Sequence, residues 1–155
     1  MSTSSSQNKV TMVDLNKFSG KWYVIATIPT GFDKEWDYTT ETYTLNKKGK
    51  IDIYTTYCKK GEEKEKSVKS KGFPNKETFN ISWKVQFVWP FKADYLIEEL
   101  SPDYTYVVVG HPKKKFLYIM NRSGKMGQIQ YNEIVERFKE RGYDVSKLQK
   151  VKQGF

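Results

Sequence analysis

The segment Thr78-Phe79-Asn80-Ile81-Ser82-Trp83-Lys84-Val85-Gln86-Phe87-Val88 alternates two kinds of side chain. Phe79, Ile81, Trp83, Val85 and Phe87 fall on one side, and Asn80, Ser82, Lys84, Gln86 and Val88 on the other. Successive residues of a strand point to opposite faces, so this stretch reads as a strand with one apolar face and one wet face. That is the pattern of a barrel wall. Trp89-Pro90-Phe91 breaks the run.

Upstream, the same language continues in short runs of β-branched and aromatic residues separated by turn signals. Gly20 to Pro29 places Trp22, Val24, Ala26 and Ile28 on one face and further apolar residues on the other, which predicts burial on both sides. Thr39 to Leu45 and Lys50 to Cys58 flank Asn46-Lys47-Lys48-Gly49, whose glycine suits a hairpin. In the second of these, Ile51, Ile53, Thr55 and Tyr57 alternate with Asp52, Tyr54, Thr56 and Cys58. A loop at Gly61-Glu62-Glu63 leads into a polar strand from Glu65 to Phe73, within a charged stretch from Lys59 to Lys71.

Downstream, Ala93 to Leu100, Tyr104 to Gly110 and Lys115 to Asn121 are separated by Ser101-Pro102-Asp103 and His111-Pro112-Lys113. Eight strands with short connections pair antiparallel. After Gly127 the period changes: Tyr131, Ile134, Val135 and Phe138 fall at helical spacing, predicting one amphipathic helix of about 13 residues that ends near Gly142. Val145, Leu148 and Val151 mark a tail that lies back on the sheet. Residues 1–12 are expected to be a disordered leader and 13–155 the single folded domain.

Composition narrows the function. Aromatic residues make up 15% of the chain, favouring strands and large interior surfaces. Cys58 and His111 are the only residues of their kinds. A disulfide within the chain is excluded, as is a multi-cysteine metal site, and little remains for nucleophilic or metal-dependent catalysis. We expect no catalytic residues, no metal and no cofactor. No apolar run reaches the length of a membrane span, and Met1 to Asn8 has neither the basic nor the apolar segment of a secretion signal. The net charge of +9 is spread over lysines, with arginine confined to Arg122, Arg137 and Arg141. Nucleic-acid readers cluster such charge on one element, so the charge reads as a general attraction to anions such as phospholipid headgroups or fatty carboxylates.

Three local motifs occur in order at the right strands. Lys17-Phe18-Ser19-Gly20-Lys21-Trp22-Tyr23 resembles the Gly-x-Trp motif that opens the first strand of lipocalins. Ser101-Pro102-Asp103-Tyr104 resembles that family's turn before its seventh strand, with Ser101-Pro102 departing from the usual residues. Arg122 matches the lone arginine that closes the eighth strand. Phe87-Val88-Trp89-Pro90-Phe91 with Tyr95, and Gly142-Tyr143-Asp144-Val145-Ser146-Lys147-Leu148, are similar to segments of the bacterial lipocalin and apolipoprotein D branch.

The resemblance implies an all-β fold: an eight-stranded antiparallel up-and-down β-barrel with one C-terminal α-helix packed outside. It also implies a structural plug of Gly20, Trp22 and Arg122 at the barrel floor, where a guanidinium on an indole gains about 0.5–2 kcal/mol. A hydrophobic small molecule, a fatty acid or lysophospholipid, is expected in the cavity. Strand parity from Trp22 suggests Val24, Ala26, Ile28, Tyr43, Tyr57, Trp83, Val85, Phe87, Tyr95 and Tyr106 as its lining. Lys34, Lys92 and Lys113 fall in loops where they would meet a headgroup or simply solvent. His111 reads as a turn residue, and adjacent Glu98 and Glu99 should point to opposite faces.

In that branch the resemblance implies a lipoprotein of the bacterial envelope, in the outer membrane or periplasm, anchored through a lipobox cysteine. It would work in envelope maintenance, as a monomer or a dimer. Two other classes compete. A polyanion-binding module would use the basic exterior and bind in a salt-dependent way. An enzyme would have to work with tyrosines, an isolated glutamate or Cys58.

Overall fold

The computed structural model describes residues 10–88 and 91–154. Most of the leader expected at 1–12 and part of the break at Trp89-Pro90 therefore lie outside the described residues. Within them, Val10 already packs against the core, and Val13 donates a backbone hydrogen bond to Phe79.

A one-turn helix α1 (Leu15–Phe18), capped by Asp14 accepting from the amides of Asn16 and Lys17, leads into the first strand. The strands are β1 (Gly20–Ile28), β2 (Trp36–Leu45), β3 (Ile51–Lys59), β4 (Lys66–Pro74), β5 (Ser82–Val88), β6 (Phe91–Leu100), β7 (Tyr106–Gly110) and β8 (Leu117–Asn121). Each pairs antiparallel with the next, and β1 pairs with both β2 and β8, which closes an eight-stranded barrel. Helix α2 (Gln128–Glu140) and a short ninth strand β9 (Gln149–Lys150) follow.

The wall encloses one cluster and exposes another. Trp22, Val24, Tyr43, Ile53, Trp83, Val85, Val107, Val109 and Met120 point inward. Ala26, Ile28, Tyr106, Val108, Leu117 and Ile119 point outward and are covered by Ile134 and Phe138 of α2. Both faces of β7 and β8 are thus apolar because the helix buries the outer one.

The tail does for β1 what β2 cannot. β2 accompanies β1 only from Gly20 to Tyr23, and beyond that point β9 pairs with Ala26 and Thr27 while Val151 donates to the carbonyl of Ile25. An edge strand that would otherwise offer free backbone groups is capped.

Some boundaries differ from the sequence reading. A 3₁₀ turn at Lys76–Thr78, with Asn75 accepting from Glu77, is followed by Phe79 and Asn80 in the left-handed region, so β5 starts at Ser82. Phe79 consequently turns out to solvent. Tyr104 also has positive φ, in a turn where its amide bonds Ser101, and β7 starts at Tyr106.

Candidate functional site: the barrel cavity

The floor is built first. Trp22 is fully buried, and the Arg122 guanidinium lies 3.7 Å from the centroid of its ring. Nη1 of Arg122 donates to Lys21, Nη2 to the carbonyls of Lys17, Phe18 and Ser19, and Nε to Tyr104, so the arginine satisfies the end of α1 and the adjoining turns at once. Gly20 adopts φ +110°, and a Cβ there would meet Arg122 Nη1 at 3.1 Å. The Gly-x-Trp spacing therefore leaves room for the guanidinium and presents the indole to it. Above this layer Phe18 packs on Trp22, Tyr43 and Trp83 with ring centroids 5.0–5.6 Å apart.

On top of that aromatic floor is a cavity of about 540 Å³, in the size range of small-molecule sites. Tyr43, Ile53 and Met120 form its lower wall, and Val85, Ala93, Tyr95, Phe116 and Tyr118 its sides. Phe32, from the loop between β1 and β2, meets Phe87 edge-on across the mouth at 5.6 Å. Lys113 and Lys115 border the same cavity with Asp94, and Lys92 joins them while its ammonium lies 4.0 Å over the centroid of the Phe73 ring.

Of the ten residues expected to line the cavity, Tyr43, Val85, Phe87 and Tyr95 do so. Val24 and Trp83 face inward but belong to the packed layer beneath, Trp83 stacked on Tyr95 and bonded through Nε1 to the carbonyl of Asn80. Tyr57 stacks face to face on Trp36 with centroids 3.6 Å apart and is not part of the lining. Ala26, Ile28 and Tyr106 are corrected outright, because they face α2. The cause in β1 is a bulge between Val24 and Ala26, where one extra residue reverses the parity of everything after it. From there Thr27, not Ala26 or Ile28, shares its side with inward Tyr118.

The expectation for Glu98 and Glu99 fails for the same reason. A bulge between Ile97 and Glu99 turns both carboxylates toward the helix, where Arg141 reaches both and Arg137 pairs with Glu99. Gly110 beside them is tightly overlaid: a Cβ would come within 2.1 Å of the Tyr143 hydroxyl. That hydroxyl donates to Glu98 and accepts from the amide of His111.

Sequence reasoning missed the polar lining. Glu41, two residues before Tyr43 on the same face of β2, enters the cavity and accepts from Thr55 Oγ1 at 2.5 Å. Strand parity from Tyr43 is the signal that would have found it. Asp33, in the mouth loop, accepts from the Tyr118 hydroxyl at 2.5 Å and from the amide and hydroxyl of Thr30, pinning that loop to the barrel wall. His111 is buried at the rim, its Nδ1 accepting from the amide of Lys113. Lys92 and Lys113 border the cavity, whereas the carbonyl of Lys34 is bonded to the Gln149 side chain.

Burial controls the charges. Glu41 is pushed up to about 8, mainly by desolvation and further by Asp33, against the lowering effect of the Thr55 hydrogen bond. The hydroxyls of Tyr43 and Tyr95, which bond each other, and that of Tyr118 are all held above the usual phenol range by burial. Burial lowers His111, so at neutral pH the imidazole is uncharged and the rim's positive charge comes from its lysines.

Glu41 makes stability pH-dependent. Its unfolded carboxyl loses a proton near pH 4.5 and its folded carboxyl near pH 8, so unfolding releases a proton in between. Stability should therefore fall as pH rises from about 4.5 to about 8 and level off above, and Glu41→Gln should abolish that fall. We expect the variant to exceed the wild type by on the order of 2 kcal/mol in urea unfolding at about pH 9. Parallel stability curves from about pH 5 to about pH 9 would show that this carboxyl ionises as freely folded as unfolded.

Comparison with known proteins agrees with this architecture. Residues 13–153 match the lipocalin-like domain family. Temperature-induced lipocalin-1 of Arabidopsis thaliana is 30% identical over 150 residues, covering 91% of this chain and 80% of the relative. The outer membrane lipoprotein Blc of Vibrio cholerae is 32% identical over 143 residues, covering 90% and 82%. Among solved structures, insecticyanin from the tobacco hornworm superposes with a TM-score of 0.72 at 18% identity, over 95% of this chain and 84% of that one. Lobster apocrustacyanin A1 gives 0.70 at 19%, over 90% and 79%. A closed antiparallel barrel, a floor of arginine on tryptophan and a sequence match across nearly the whole domain make this chain a member of the lipocalin family, whose members generally bind small hydrophobic ligands.

Proposed function

We propose that this protein binds and carries a long-chain lipid, a fatty acid or lysophospholipid, with its tail inside the barrel and its anionic headgroup among Lys92, Lys113 and Lys115. The observation that carries the reading is a cavity closed below by aromatic packing, walled largely by apolar and aromatic side chains and bordered by three lysines against one aspartate, Asp94. Each methylene moved from water into such a space contributes about 0.8 kcal/mol, and the lysines favour a phosphate or carboxylate at the mouth.

A place at a bacterial envelope is supported by the relatives named outer membrane lipoproteins, while a plant relative of similar identity keeps the carrier reading independent of location.

Native mass spectrometry of the purified protein, followed by organic extraction, tests the proposal. An acyl lipid carried at near one-to-one stoichiometry is the expected result. Protein that stays empty, ignores fatty acid and lysophospholipid, and is retained on heparin in a salt-dependent way would replace it with polyanion binding by the lysine-rich exterior.

A further inference from the structure

An unsubstituted acyl tail is a poor match to one level of this cavity. Glu41 uses one carboxyl oxygen to accept from Thr55, and no described residue bonds the other. Ser70 Oγ is buried against the same cavity with no hydrogen-bond partner among the described residues. The hydroxyls of Tyr43 and Tyr95 bond each other, which leaves one proton of the pair still to be donated. A saturated chain passing these groups would strand them, and a buried polar group without a partner is expensive.

Their depth is set by the strands. Tyr95 lies three residues below Lys92 along β6, about 10 Å of strand, and Glu41 stands opposite Trp22 of the floor layer in the pairing of β1 with β2. The polar level thus lies just above the floor, about 10 Å below the lysines, where a long tail whose headgroup is at the lysines arrives with part of its length still to place and has to turn back.

Resting on the carrier reading above, we propose that the barrel selects long-chain anions bearing a hydroxyl or keto oxygen part-way along the tail, and that Glu41, Ser70 and the Tyr43–Tyr95 pair receive that oxygen. Glu41 holds its proton in neutral solution, so it and the tyrosine pair are donors to the ligand oxygen, while Ser70 donates or accepts. The plain chain is rejected because the site's own groups go unpaired, which is a stronger discrimination than a hydrophobic wall achieves by fit alone.

Titration calorimetry with stearate and with hydroxystearates substituted at successive positions tests this. Hydroxystearate substituted at mid-chain should bind about tenfold more tightly than stearate, the worth of one well-made buried hydrogen bond. Glu41→Leu should remove the preference by strengthening stearate and weakening the hydroxy acid. Ser70→Ala, which loses no protein hydrogen bond and should fold as the wild type, should narrow the preference. Equal affinity for all chains in the wild type, or a preference that survives both substitutions, overturns the inference and leaves the carrier reading standing. Failure of every chain to bind overturns both.

Discussion

Arg137→Leu should destabilise the fold by about 3–5 kcal/mol, although the residue is far from the cavity. Its partner, Glu99, is wholly buried between β6 and α2. Arg137 holds that carboxylate with Nε at 3.0 Å and Nη2 at 2.7 Å, a bidentate grip that Tyr106 supplements at 2.9 Å and Arg141 at 3.4 Å. Removing the guanidinium leaves a charge in an apolar seam with only its two weaker partners. The double variant Glu99→Leu/Arg137→Leu removes both charges and should recover part of the loss, since Arg141 keeps Glu98 as a partner while the Tyr106 hydroxyl loses its acceptor. Urea unfolding of the four species measures this. A single-variant loss below about 1 kcal/mol would show that the pair behaves like one on the surface.

Trp22→Ala should cost a similar amount, about 3–5 kcal/mol, by a different route. The indole fills the floor, packs on Phe18, and donates through Nε1 to the carbonyl of Phe18 at 2.9 Å. Its loss leaves a void, a Phe18 carbonyl held only by the longer bond from Arg122, and an arginine with nothing beneath it. Arg122→Ala should be additive only in part, since each single change already removes the stacking contact. A coupling of about 0.5–2 kcal/mol in the double-mutant cycle is expected. Full additivity would mean that Arg122 acts through its carbonyl hydrogen bonds alone.

These two sites also show what the sequence could and could not convey. Trp22 and Arg122 are a hundred residues apart, yet their roles were readable because a recurring motif marks each. The strands were readable because alternation is a local property, and so was the helix, whose span Gln128–Glu140 follows from Ile134 and Phe138. Which way a strand faces is less local. Nothing at Ile25 or Glu98 announces an extra residue in the pairing, since a bulge is set by the neighbour's register. Strand parity therefore puts Ala26 and Ile28 on the wrong side and Glu98 and Glu99 on opposite sides, while Tyr43, after the shift between Asp37 and Thr40 on β2, and Val85, before the shift on β5, come out inside. Tyr106 goes to the wrong side for a different reason: β7 is buried on both faces, so alternation does not say which of them looks into the barrel. Glu41 was passed over for its chemistry: a carboxylate looks like a surface residue until its neighbours along the strand are seen to be buried.

The sharing of β1 among β2, β8 and β9 has a temporal consequence. β2 to β8 can assemble by hairpins between near neighbours in the chain, and β1 can join β2 over Gly20–Tyr23, but the rest of β1 has to wait for partners at Leu117–Asn121 and Gln149–Lys150. Closing such long loops makes sheet proteins slow to fold, on a scale of milliseconds to seconds. During synthesis the ring cannot shut until β8 has left the ribosome, and for that interval the far half of β1, from Val24 to Ile28, travels as backbone without a partner strand.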